Sequence, residues 1–138
     1  QEFAKKYQIP VAETSAGKGA LAWNHPTYVG AIGVTGSNAA NNMAKQADTV
    51  LAIGTRLNDF ISGSRALFSD KTILQLNVAR FDAIKHNALS LWGDAKLGIQ
   101  KLDKELSSWK SPIQWQDMAQ KESSKWNNYY EEITSIIR

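Results

Sequence analysis

The sequence contains no cysteine, which excludes disulfide bonds and thiolate chemistry and is compatible with a reducing cytoplasm. It also lacks an apolar run of the ~20 residues that a membrane-spanning helix requires, and no signal peptide is recognisable. We therefore expect no membrane partner and a cytoplasmic location.

An excess of charge of one sign is also missing. The 138 residues carry 16 basic and 13 acidic side chains, a formal net charge of +3, and the basic side chains are scattered along the chain. Nucleic-acid binding needs a basic patch or stripe, so we expect no nucleic-acid partner. A chain of this length with 43% hydrophobic residues can bury the core of one ordinary domain.

Residue patterns suited to catalysis are lacking as well. The two histidines, His25 and His86, are far apart, and neither belongs to a metal-ligand spacing such as H-E-x-x-H. No G-x-S-x-G nucleophile elbow is present, and Asp59 and Asp82 are more typical of helix caps or turns than of paired catalytic acids. The sequence predicts no catalytic residue and no metal ligand.

What is present is an alternation of apolar runs and turn signals. Helices are expected over residues 2–7, 37–46 and 94–106 and after Pro112, and strands over residues 9–14, 48–54, 72–78 and 88–92, with a loop over 55–64. This order is typical of an α/β fold with a Rossmann-like parallel sheet, helices on both faces and, here, a C-terminal helix. Because no strand precedes the opening helix, we expect the sheet to lack its first strand and the chain to be a segment of a longer protein.

A glycine loop followed by a buried strand is the most informative part of the sequence. Gly30–Asn41 is typical of a loop that opens a helix, and Thr49–Arg56 of a strand that ends in Gly-Thr-Arg. Glycines let backbone N–H groups approach an anion at a helix N-terminus, which Ser37 can cap, and Arg56 can pair with the same anion. The candidate nucleotide crevice therefore comprises Gly33, Thr35, Gly36, Ser37, Gly54, Thr55 and Arg56.

A purely structural interpretation of these residues stays open. The spacing is not the G-x-G-x-x-G of dinucleotide sites, and no acidic residue follows Gln75-Leu76-Asn77, where ribose recognition needs one. In this interpretation the glycines form tight turns, and Arg56 pairs with an acid such as Asp59.

After a predicted break between helices at Ser108–Pro112, the residue pattern of the sequence changes. Its apolar residues recur at the spacing of an amphipathic helix, with Trp115, Trp126, Tyr129 and Ile133 among them. One interpretation is a terminal helix packed on its own domain, and the other is a connector whose apolar face docks on a neighbouring domain or subunit. Exposed apolar surface favours self-association, so we expect a homo-oligomer.

Several motifs occur in an order that resembles a known family. They are Phe3-Ala4 with Ile9-Pro10-Val11, Gly17-Lys18-Gly19, Gly30–Asn41, Ala52–Asp59, Leu76-Asn77-Val78 and Gly93-Asp94-Ala95-Lys96. With these motifs, residues 1–107 resemble the central domain of thiamine-diphosphate-dependent enzymes of the acetolactate synthase superfamily. Residues 108–138 resemble the helical connector that leads to the diphosphate-binding domain.

The resemblance implies a parent enzyme with three domains. The first carries the essential glutamate and the third a Gly-Asp-Gly metal motif; no Gly-Asp-Gly occurs in this sequence. Thiamine diphosphate and magnesium are then bound outside this chain, which is expected to be inactive alone and to have the remaining domains and subunits as partners. Some relatives bind FAD or ADP in this domain, often with acidic residues where this sequence has Asn77 and Ala79, and that departure argues against both nucleotides.

Within the superfamily, one branch is most similar to this sequence. Ala22–Pro26 joined to Gly30–Ser37, together with residues 77–87, resembles the hydrolases that open the ring of trihydroxycyclohexane-1,2-dione in myo-inositol catabolism. The expected function is that of a non-catalytic central domain in an enzyme that hydrolyses a C–C bond of this cyclic 1,2-diketone. Two alternatives stay open, namely the central domain of an acetolactate synthase-like 2-oxoacid enzyme and a stand-alone nucleotide-binding module.

Overall fold

The computed structural model describes residues 1–136 and places them in two compact units. The first unit contains Gln1–Met43 and the chain from Lys110 onward, and the second contains Ala44–Trp109. Ile137 and Arg138, the last residues of the predicted connector, lie outside the described residues. The predicted division of the chain into residues 1–107 and 108–138 stays a prediction.

Helices and strands alternate along the described chain. In order they are α1 (Glu2–Tyr7), β1 (Val11–Glu13), β2 (Tyr28–Ala31), α2 (Asn38–Gln46), β3 (Thr49–Ile53), α3 (Asp59–Ser62), β4 (Thr72–Asn77), α4 (Arg80–Ala83), β5 (Leu89–Trp92), α5 (Ala95–Leu106) and α6 (Ile113–Ser135). Single 3₁₀ turns lie at Ser15–Gly17 and Lys85–Asn87. Among the residues described here, no helix has the length and apolar character needed to cross a membrane.

The first unit combines a two-stranded sheet with packed helices. β1 and β2 pair in parallel, with an irregularity between Val11 and Ala12. α6 contacts β2, and the segment that precedes α6 is tied to the end of α1 because the Ser111 N–H donates to the Tyr7 carbonyl oxygen at 2.9 Å. The buried hydrophobic side chains of this unit include Ala4, Tyr7, Val29, Ala39, Ala40, Met43 and Ala119.

The second unit is a three-stranded parallel sheet with helices packed on its central strand. The strand order is β3, β4, β5, so that β4 is central. α4 contacts β4 and β5, and α5 contacts β4, which explains why β4 reads as an almost continuous buried run. Gly98 lets α5 approach closely, since a Cβ atom at this position would lie 2.5 Å from Leu76 Cδ2.

The predicted α/β fold with parallel strands is confirmed, and so are the predicted helices and strands, to within one or two residues at each end. Three elements were not predicted. β2 includes Gly30 and Ala31, which the sequence analysis assigned to the glycine loop. This strand was not predicted because it has only four residues, one of them a glycine at φ 102°, and therefore no apolar run. α3 lies inside the predicted loop over 55–64 and α4 directly after β4, and each is four residues long, too short for helical periodicity to show.

Candidate functional site

The predicted glycine loop forms the turn between β2 and α2 in the first unit. Ser37 Oγ accepts the Ala40 N–H at 3.1 Å and donates to the Val29 carbonyl oxygen at 3.0 Å. Ser37 is therefore the N-cap of α2, as predicted, and it also ties the helix start to β2. Thr35 is exposed on this turn, whereas Gly33 and Ser37 are buried.

Most of the donors that were expected to face an anion have partners within the turn. The Gly33 N–H donates to Asn41 Oδ1 at 3.0 Å, and Asn41 Nδ2 donates back to the Gly33 carbonyl oxygen at 2.9 Å. The Gly36 N–H donates to the Gly33 carbonyl oxygen, and the Ser37 N–H to that of Ala31. Gly36 is required by space, because a Cβ atom there would lie 2.5 Å from the Ala31 carbonyl oxygen. These bonds agree with the interpretation of the glycines as tight-turn residues.

Gly54, Thr55 and Arg56 lie together at the carboxyl end of β3 in the second unit. Gly54 adopts φ 63°, a conformation that favours glycine, and its N–H extends the β3–β4 ladder to the Leu76 carbonyl oxygen at 2.9 Å. The Arg56 side chain is exposed, and in the described part of the chain its guanidinium has neither a hydrogen-bond nor an ion-pair partner. The alternative pairing of Arg56 with Asp59 is therefore not formed, and this cation is available to an anion.

Two buried amides of β4, which were not predicted as site residues, hold this strand end in place. Gln75 Nε2 and Asn77 Nδ2 donate to the Thr55 carbonyl oxygen at 2.9 and 3.0 Å. Asn77 Oδ1 also accepts the Ala79 N–H at 2.9 Å. Polar residues inside an otherwise apolar strand were the available sequence signal, since most buried polar groups are hydrogen-bonded. Gln75 Oε1 is an exception, because this buried oxygen has no hydrogen-bond partner among the described residues.

The four residues of the glycine turn and the three residues after β3 belong to different units. Each group lies within its own unit. A single nucleotide crevice formed by all seven residues stays a prediction.

Glu13 shapes the loop that contains the Gly17-Lys18-Gly19 motif. Its carboxylate oxygen Oε1 accepts the N–H groups of Gly19 and Leu21 at 3.1 and 2.7 Å, and Glu13 is buried at the end of β1. Burial raises the pKa of the Tyr28 hydroxyl, and the neighbouring Glu13 carboxylate raises that pKa further. An acid at the last position of a short apolar strand was the signal for this anchor.

The isolated acids and histidines have structural partners. Asp82 pairs with Lys85 at 2.6 Å, and Asp59 is the first residue of α3, whose cap is Asn58, so neither acid is a helix cap. His25 Nδ1 lies 2.9 Å from Thr27 Oγ1. In residues 1–136, no group of three or more His, Cys, Asp or Glu side chains could hold a metal ion.

α6 forms a groove with the amino-terminal half of α2 within the first unit. The groove has a volume of about 210 Å³ and is lined by Asn38 and Asn42 from α2 and by Glu122, Lys125, Trp126 and Tyr129 from α6. Glu122 accepts hydrogen bonds from Asn42 and Lys125, both at 2.8 Å. The bond from Asn42, and after it the bond from Lys125, lowers the pKa of the Glu122 carboxyl. The first half of α6 therefore packs on its own unit, as one interpretation of the tail expects.

Comparison with known proteins gives one family and a consistent set of relatives. The family model described as "Thiamine pyrophosphate enzyme, central domain" matches residues 1–102. A protein of Geobacillus thermodenitrificans named 3D-(3,5/4)-trihydroxycyclohexane-1,2-dione hydrolase is 42% identical over 98% of this chain and 21% of its own length. A protein of the same name from Clostridium tetani is 36% identical over 99% of this chain and 21% of its own length. Another from Bacillus cereus is 44% identical over 77% of this chain and 17% of its own length. The chain thus spans about a fifth of the length of these relatives.

Proposed function

The chain belongs to the family of thiamine pyrophosphate enzyme central domains, and from this premise we propose that it is the non-catalytic central domain of an enzyme that hydrolyses a C–C bond of trihydroxycyclohexane-1,2-dione in myo-inositol catabolism. The observation that carries the proposal is the 42% identity, over 98% of this chain, with a protein named as the hydrolase of that compound. The similarity extends beyond residue 102 into α6, which supports the same origin for the tail.

The described residues do not fit thiamine diphosphate, the cofactor that the family name implies. Its diphosphate needs Mg²⁺, a hard cation held by several carboxylate and carbonyl oxygens. Within residues 1–136 the acids do not gather into such a set, and Glu13, Asp82 and Glu122 are each bonded to local partners. We assign thiamine diphosphate and Mg²⁺ to other domains or subunits of the parent enzyme.

In this proposal the chain serves the structure and the subunit assembly of the parent enzyme. In it the parallel sheet of the second unit and α6 of the first serve as structural supports, and the partners are the remaining domains of the parent and further copies of it. The cytoplasm is the proposed location, and the absence of cysteine from these 138 residues is compatible with a reducing compartment.

The substrate assignment is tested on the whole parent enzyme supplied with thiamine diphosphate and Mg²⁺. The enzyme is offered the cyclic dione and, separately, pyruvate, with omission of thiamine diphosphate as the control. Ring opening of the dione without turnover of pyruvate is the expected result. Formation of acetolactate without ring opening would move the parent to the 2-oxoacid branch.

The non-catalytic assignment is tested on the 138-residue chain by calorimetric titration. No saturable binding of thiamine diphosphate with Mg²⁺ is expected, and tight binding would contradict the assignment. Stoichiometric binding of FAD or ADP would instead support a nucleotide site at Gly33–Ser37 or Gly54–Arg56.

A further inference from the structure

The second unit contains a small polar pocket at the amino-terminal ends of β4 and β5. Its volume is about 80 Å³, and its polar lining consists of Ser62, Arg65, Ser69, Lys71, His86 and Asn87, which we call the cationic pocket. The pocket lies at the end of the parallel sheet opposite to Gly54–Arg56, which follow the carboxyl end of β3. Its lining includes none of Gly54, Thr55 and Arg56, although His86 Nε2 lies 2.8 Å from the carbonyl oxygen of Leu57, the residue after Arg56.

Lys71 is the most unusual member of the cationic pocket. Its side chain is only 9% exposed, and its ammonium Nζ has one partner, Asp70 Oδ1 at 3.0 Å, whose own side chain is 75% exposed. An ammonium group has three donors, and a cation withdrawn from water is costly unless it is well paired. The hydrogen bond from Lys71 lowers the pKa of the Asp70 carboxyl. Within the described chain Asp70 thus serves only one of the three donors of this largely buried ammonium group.

Arg65 adds a second cation without a counter-ion. Its guanidinium has no hydrogen-bond or ion-pair partner within residues 1–136. By contrast Lys85, the residue before the pocket residue His86, is paired with Asp82 at 2.6 Å. No aspartate or glutamate lines the pocket. Because the Nε2 atom of His86 lies 2.8 Å from the Leu57 carbonyl oxygen and must donate to it, the imidazole ring is held in a fixed orientation at the pocket.

The backbone around the cationic pocket adopts a conformation that few residues other than glycine tolerate. Arg65, His86 and Asn87 have φ values of 75°, 58° and 56°. Such values are uncommon outside glycine, and because asparagine and histidine adopt them more readily than other residues, the value of Arg65 is the one that the surrounding structure must hold in place. Two separate loops are thus constrained so that their side chains line one pocket.

We propose that the cationic pocket binds the oxyanion of a phosphate group, with Lys71 and Arg65 as its principal cations and the hydroxyl and amide groups of Ser69 and Asn87 as further donors. The volume of about 80 Å³ is several times the space that one water molecule needs, and it admits a group of the size of phosphate. A phosphate oxygen supplies the acceptors that Lys71 and Arg65 lack.

The test is a calorimetric titration of the 138-residue chain with inorganic phosphate. Saturable binding is expected with a Kd below about 1 mM. Arg65→Gln should weaken it about tenfold, since a charge-assisted hydrogen bond is lost. Asp70→Asn should tighten it by up to about fivefold, since an exposed carboxylate no longer competes for Lys71. Arg80→Gln, which removes the same charge from an exposed position outside the pocket, is the matched control and should leave the Kd unchanged.

Both position-specific variants change exposed side chains, so the chain is expected to stay folded, and circular dichroism checks this. Absence of saturable binding, or equal affinities in Arg65→Gln and Arg80→Gln, would overturn the proposal. A parallel titration with glucose 6-phosphate identifies the source of the group. Binding of both ligands supports a phosphorylated metabolite, and binding of inorganic phosphate alone supports the free ion.

Discussion

At the scale of single residues, the side-chain amides of Gln75 and Asn77 donate hydrogen bonds to the backbone, which a carboxylate in the same place could not do. Both side chains are buried and donate to one carbonyl oxygen, that of Thr55, while Asn77 also accepts the Ala79 N–H. A carboxylate at position 77 would keep the acceptor and lose the donor. The asparagine therefore fixes the polypeptide where β3 ends.

Asn77→Asp is predicted to lower the free energy of unfolding by about 1–3 kcal/mol, the usual cost of leaving a buried polar group unpaired. Urea denaturation followed by circular dichroism measures the change. Asn128→Asp, an identical substitution on the exposed surface of α6, is the control and should cost less than about 0.5 kcal/mol. Equal losses in the two variants would show that the Thr55 contact contributes nothing.

Glu122 is predicted to make part of the stability dependent on pH. Its pKa is lowered in the folded chain, chiefly by the bond from Asn42, so its contribution is present above the ordinary pKa of a glutamate, about 4.3, and is lost as the pH falls through the lowered value. Glu122→Gln should therefore be less stable than the parent sequence at pH 7, and the difference should vanish at acidic pH. Thermal unfolding at a series of pH values tests this, with the exposed Glu132→Gln as the control. A difference that is independent of pH would contradict the role of the carboxylate.

At the scale of elements, the parts of the fold that could be predicted are those with a strong local signal. Residues 49–53 and 72–77 are rich in apolar and β-branched residues, which is typical of strands. Asp94 precedes an amphipathic segment and caps α5 by accepting the Leu97 N–H at 3.0 Å. β2, α3 and α4 are four residues each and depend on tertiary contacts. Their positions could not be predicted, because local propensity over so few residues is weak.

The features of the candidate site also divide into those that the sequence could predict and those that it could not. The cap at Ser37 was predictable, since a serine directly before a helical segment is a local pattern. The bond from the Gly33 N–H to Asn41 was not, because it depends on the angle at which α2 leaves the turn. The cationic pocket draws on residues from 62 to 87 and has no linear motif at all.

Close packing of α5 on β4 is predicted to depend on Gly98. Alanine is favoured over glycine by about 1 kcal/mol inside a helix, but a Cβ atom would lie 2.5 Å from the buried Leu76 side chain, and overpacking costs about 1–3 kcal/mol. Gly98→Ala should therefore lower the free energy of unfolding by up to about 2 kcal/mol. Gly93→Ala, where no atom lies within 4 Å, is the matched control and should be neutral or slightly stabilising. A stabilised Gly98→Ala variant would contradict the packing.

At the scale of the whole molecule, the exposed end of α6 is predicted to support self-association. Tyr129, Tyr130 and Ile133 are exposed by 50%, 56% and 38%, although the first half of the helix is packed. Apolar patches of this kind mark interaction sites. Sedimentation of the 138-residue chain should show a concentration-dependent dimer that Ile133→Glu weakens and Ile84→Glu, at an exposed position in the second unit, does not. A strictly monomeric profile at high concentration would contradict the prediction.

The exchange of this chain into a relative tests the central claim most directly. In the Geobacillus thermodenitrificans protein, which is 42% identical over 98% of the chain, the matching fifth of the sequence would be replaced by these 138 residues, and ring opening of the dione would be measured with thiamine diphosphate and Mg²⁺ present. We predict a folded hybrid that opens the ring and loses activity when thiamine diphosphate is removed. A hybrid that folds and binds thiamine diphosphate but leaves the dione intact would contradict the assignment of this chain as the central domain of such a hydrolase.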